Sequence, residues 1–172
     1  MELSRSGPLR MTNKGFTIIE LVVVLGIIGI LLAIAGFQMS AWLGKARVEE
    51  QIKSMFADLA NARVRAMNRN RLHFVMMSQN QYQIWEDTNP GPDGNGDLDT
   101  AAGGDSLVQQ INLRDSLLSG STYTLFNFDS RGLMSVNGTI QIQNTYGAIY
   151  DCIAVSSTRI RLGRWDGASC SS

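Results

Sequence analysis

The feature that most constrains this chain is Leu21–Phe37, LVVVLGIIGILLAIAGF, an unbroken run of apolar residues and glycines. With Phe16–Glu20 in front, the segment is 22 residues long and would extend about 33 Å as a helix. The hydrocarbon core of a bilayer is about 30 Å thick, so the segment can cross one. A chain of 172 residues rarely has enough protein to bury a helix that is apolar on every face. Residues 16–37 are therefore read as a membrane helix. Only 17% of the chain is charged, below the roughly 25% of soluble domains, and much of the deficit lies in this run.

Three kinds of segment share these properties. A secretory signal would be cut at Ala33-Ile34-Ala35, releasing a protein that begins at Gly36. An anchor would stay uncut. A third kind is cut in front of the helix and keeps it. Glu20 decides among them, because a carboxylate inside an apolar membrane segment costs a few kcal/mol at mid-bilayer and is by default functional. A secretory signal gains nothing from it. The stretch Lys14-Gly15-Phe16-Thr17-Ile18-Ile19-Glu20 resembles the type IV prepilin signature: a basic leader ending in Gly, then Phe, then Glu as the fifth mature residue.

The resemblance implies that a membrane prepilin peptidase cuts after Gly15 and methylates the Phe16 amine. Residues 1–15 would be the leader, with Arg5, Arg10 and Lys14 against Glu2 keeping it cytoplasmic by the positive-inside rule. Met1 and Met11 are both possible starts. Other pilins or pseudopilins would be the partners, met through the N-terminal helices. In a dry bundle of such helices, Glu20 would be neutralised by a Phe16 amine of its own or a neighbouring subunit, which sets axial register. Gly29 and Ala33 form a small-xxx-small pair, readable as close helix approach or as chance. Many major pilins carry a proline near the position of Phe37; Gly36-Phe37 stands there instead, a departure that puts a helix break in question.

Beyond Phe37 the pattern becomes amphipathic. Trp42, Val48, Ile52, Met55, Phe56, Leu59, Ala62 and Ala66 recur at three- and four-residue spacings, predicting that the helix continues over 38–71 with a core-facing stripe. Residues 72–172 alternate instead. Strands are expected at Leu72–Ser78, Gln81–Glu86, Leu107–Leu113, Thr122–Phe128, Thr139–Gln143, Ile149–Val155 and Arg159–Arg164. The fold class is α+β: a long N-terminal helix, half membrane and half amphipathic, on antiparallel β-sheet. Residues 38–71 and 72–172 form one domain. Phe126-Asn-Phe-Asp-Ser-Arg-Gly132, with the overall layout, resembles the GspH/FimT group of minor pilins and pseudopilins. That implies a structural subunit of a type IV pilus or a type II secretion pseudopilus, near the tip. It would be anchored in the bacterial inner membrane by one pass, with a periplasmic domain.

Downstream of a membrane signal the domain faces an oxidising compartment, which favours a Cys152–Cys170 disulfide over two free thiols. Asp93, Asn95, Asp97 and Asp99 place oxygen donors at alternate positions of a Gly-rich loop, with Asp105 able to close a Ca²⁺ site. An EF-hand wants Gly at Leu98 and a late Glu, so the competing reading is a loop capped by its own Asx side chains. No other cofactor is expected. Arg159, Arg161 and Arg164 beside Trp165 could grip DNA phosphates and bases. FimT-like DNA receptors carry Gly-Arg-x-Arg in this tail; here Gly163-Arg164-Trp165-Asp166 puts an anion where the second Arg belongs. DNA binding is thus the alternative function, and strand decoration or a subunit contact the plainer one. No G-x-S-x-G, H-E-x-x-H or P-loop is present and His73 stands alone, so no enzyme is expected.

Overall fold

The computed structural model describes residues 15–92, 94–117 and 125–171. The expected leader, except for Gly15, and the first three residues of the strand expected at Thr122–Phe128 lie outside them. The chain divides into two compact units, residues 1–40 and 41–172. One helix, α1 (Ile18–Arg69), contributes to both. In the first unit every described helical side chain is exposed, from Ile18 to Ile34.

The second unit has its own core. Val48, Ile52, Met55, Leu59, Ala62 and Ala66 are all buried, at spacings of four, three, four, three and four, which keeps them on one side of α1. Gly44 continues this stripe: a Cβ there would lie 2.6 Å from the Tyr146 ring, so only glycine lets that ring rest on the helix. Trp42, expected on the stripe, is exposed instead. The helix stops at Arg69 rather than Arg71. Asn70 turns left-handed (φ 53°), and the Arg71 N–H donates to the Ala66 carbonyl at 3.3 Å, closing a Schellman turn.

Eight strands follow among the described residues: β1 (His73–Ser78), β2 (Gln81–Glu86), β3 (Ser106–Asn112), β4 (Leu125–Phe128), β5 (Gly138–Gln141), β6 (Cys152–Val155), β7 (Ile160–Trp165) and β8 (Cys170–Ser171). They form two four-stranded antiparallel sheets, ordered β3-β2-β1-β4 and β5-β6-β7-β8. Met134 N–H to Ser157 O (2.9 Å), Ser135 N–H to Asn127 O (3.1 Å) and the Leu117–Ile142 bridge tie them together. Val75, Met77, Tyr82, Ile84, Phe126 and Phe128 of the first sheet and Ile140, Ile153 and Val155 of the second join the α1 stripe in one core. This is the α+β arrangement that the periodicity predicts, with the pilin-like layout that the resemblance implies.

The expected strand over Ile149–Val155 begins only at Cys152. Residues 144–151 form a loop because side chains capture their backbone. Asn144 Oδ1 accepts from the N–H groups of Tyr146 (3.1 Å) and Ala148 (3.2 Å), and Gly147 takes φ +70°. Asp151 accepts from Asn144 Nδ2 (2.9 Å) and from the Trp165 N–H (2.7 Å). Across the loop, Glu49 Oε1 accepts the Ile149 N–H at 2.9 Å, and this bond is the main cause that holds the Glu49 carboxyl below its usual range.

Candidate assembly site

Thr17 is the N-cap of α1. Its Oγ1 accepts the Glu20 N–H at 3.3 Å, and its carbonyl accepts the Leu21 N–H at 3.2 Å. Thr-x-x-Glu is the spacing of a capping box, a signal in the sequence that marks Thr17 as the helix start. Glu20 lies in the first turn, where the helix dipole favours an anion. Phe16, Ile18, Ile19 and Leu21 around it are exposed, as are the apolar side chains on through Ile34. Helix α1 contains a span long and apolar enough to cross a membrane, and among the described residues none of that span is buried.

The other predicted site residues fall elsewhere. Cys152 and Cys170 are joined by a disulfide that ties β8 to β6. Gly163 makes room for it: a Cβ there would lie 2.7 Å from Cys170 Sγ and 2.5 Å from the Ser171 carbonyl.

The acidic loop is built from its own caps. Asp87 accepts from the N–H groups of Asn95 (3.2 Å) and Gly96 (2.8 Å). Asp105 accepts from those of Thr88, Asn89 and Asp99. Asn95 Oδ1 takes the Asp97 N–H, and Asp99 takes the Ala101 N–H and Asn89 Nδ2. Asp93 lies outside the described residues. Among those described, no group of three His, Cys, Asp or Glu side chains is gathered as a metal site.

The three arginines do not share one face. Arg159 and Arg161 line a shallow cleft of about 230 Å³ with Ser156 and Cys170. Arg164 takes the parity of Ile160 and Leu162, the residues of β7 that pack on the core, and is exposed near its end. Asp166 is a turn residue, held below the usual carboxylate range by the N–H groups of Ser169 and Ala168. Both Gly163 and Asp166 thus have local structural work. At the end of α1, Arg69 donates to Glu86 at 2.9 Å, Arg71 lies 3.5 Å from it and also bonds the Pro92 carbonyl, and Arg63 donates to the Thr158 carbonyl at 2.9 Å. Sequence reasoning missed Glu86, which is buried among these cations, because alternation marks its position as core-facing and nothing in the pattern pairs it.

An uncovered apolar helix with an acid in its first turn, continued into the core of a two-sheet unit, defines a pilin-like protein. Residues 10–36 match the model of the prokaryotic N-terminal methylation motif, and residues 51–159 match that of the type II transport protein GspH. The second match covers more than half of the chain, which belongs to the GspH family. It is a minor pilin of the type II secretion and type IV pilus kind, and the family is structural rather than catalytic. No curated protein and no solved structure gave a match.

Proposed function

We propose that the chain is made as a prepilin, cut after Gly15, methylated on the Phe16 amine, and held in the inner membrane by a single pass with residues 41–172 in the periplasm. From there it enters a pilus or pseudopilus by packing its apolar helix among those of its neighbours. The observation that carries this reading is the first unit itself. It presents apolar side chains on every side with no cover from its own chain, and Glu20 is the only charged residue between Phe16 and Gly44. Bundled helices would cover that surface. They would also strand the carboxylate at a cost of several kcal/mol unless a cation meets it, and the Phe16 amine is the cation nearest in sequence. Placement near the tip rests on the likeness to minor subunits.

Intact mass of the chain extracted from membranes tests the reading. A species that begins at Phe16 and carries one added methyl group is expected. A mature chain beginning at Gly36 would mean signal-peptidase release and end the assembly reading.

A further inference from the structure

The second unit exposes an apolar, aromatic patch at the start of its helix that the assembly reading does not use. Trp42 is 63% exposed, Ile149 53%, Tyr146 44% and Tyr150 36%. Tyr146 rests on Gly44, Ile149 is bonded to Glu49, and the Tyr150 ring lies 5.4 Å from Lys53 Nζ. Trp42, Glu49 and Lys53 share one side of α1, at helical spacings of seven and four. The loop behind the patch is rigidly built: Asn144 and Asp151 secure its backbone from within, and Ala148 is fully buried beneath it. Its apolar tips therefore face outward in a fixed geometry and are not a frayed segment.

Charge locates what this patch meets. From Leu21 to Gly44 there is no charged residue, and the first cations beyond are Lys45 and Arg47. Those 24 residues would span about 36 Å as helix, which carries them through the hydrocarbon and into one headgroup layer. Trp42, and Tyr146 lying on Gly44, then fall at that boundary. Amphipathic Trp and Tyr rings concentrate there, with cations just outside.

We propose that Trp42 and the 144–150 loop form an interfacial contact with the phospholipid headgroup layer, which the subunit makes while it waits in the membrane and gives up on entering the fibre. This rests on the membrane-anchoring reading above. The contact orients the second unit against the bilayer and shields Ile149 and Tyr150 from water before assembly.

The test uses the full chain in lipid nanodiscs, with Trp42, Trp85 and Trp165 replaced by Phe and a single reporter, Ile149→Trp. Lipids brominated close to the headgroup should quench that reporter at least about twofold more than a Leu107→Trp control. Leu107 is exposed beside Trp85 and Glu86, where Arg69 ends the helix, about 37 Å along the axis from Gly44. Equal quenching at both positions overturns the proposal while leaving the anchoring intact. A chain that does not enter the discs overturns both. The native unit 41–172, which carries every buried apolar residue among those described, gives a second readout that needs no reporter. It should float with phosphatidylglycerol vesicles, and Ile149→Ser should weaken this about threefold or more. Self-association of that unit through the patch, with no flotation, would instead make it a contact between copies and sink the lipid assignment.

Discussion

At the scale of single residues, the buried imidazole of His73 makes stability depend on pH. The ring is fully buried, with Nδ1 3.3 Å from the Arg71 carbonyl and Nε2 3.9 Å from Glu86. Burial is the largest cause holding its pKa below the ordinary 6.5; Arg69 and Arg65 act in the same sense, and the Arg71 carbonyl and Glu86 oppose them. The folded protein therefore keeps His73 neutral at a pH where the unfolded chain takes up a proton. The unfolded state binds more protons between the two values, so this contribution is complete above pH 6.5 and is lost as pH falls below it. The urea midpoint of the unit 41–172 should drop between about pH 7.5 and about pH 5.5, and His73→Gln should flatten the slope. The shifted carboxylates of Glu49, Asp129 and Asp166 lie below 4.5 and leave this window clear. A midpoint that does not move would show that the ring can accept its proton in place.

At the scale of elements, two substitutions separate what holds the second unit together. Leu59 lies fully buried in the middle of the α1 stripe, and Leu59→Ala should cost about 2–5 kcal/mol, read as a fall in the denaturant midpoint at constant slope. Replacing Cys152 and Cys170 together by Ser should cost about 3 kcal/mol, because the bridge closes a loop over a sequence separation of 18. A double variant as stable as the parent would place β8 outside the cooperative unit. The stripe is legible from sequence because a helix repeats its buried positions locally. The disulfide is legible because the expectation of an oxidising compartment leaves two cysteines one pairing. What escapes is contact across long separations. Nothing around Trp42 says that Gly44 replaces it on the stripe, since the reason is Tyr146, about a hundred residues away. Nor does alternation reveal that Asn144, Asp151 and Glu49 hold 144–151 out of β6, because side-chain capture of backbone leaves the hydrophobic pattern unchanged. Thr17 was readable in principle, as a capping-box partner of Glu20.

At the scale of the whole molecule, the proposed function assigns folding and assembly to different residues of the same helix. Among the described residues, every buried apolar side chain lies between Val48 and Val155, while those from Phe16 to Ile34 are exposed. Stability should therefore be insensitive to the first unit, and incorporation into a fibre should be sensitive to it. Glu20→Ala separates the two, because alanine is a better helix former than glutamate and removes the carboxylate that a neighbour's amine would meet. The variant should remain in the membrane with the parent's melting transition, yet lose incorporation into fibres, scored by the fraction recovered in sheared filaments. Glu20→Gln should lose nearly as much, since the amide fills the same space without the charge. Lowering the pH should not rescue either variant, because neither carries a group at this position that could titrate. If fibres take up Glu20→Gln at the parent's level, the carboxylate contributes shape alone, and register in the bundle must come from apolar packing such as the Gly29 and Ala33 pair.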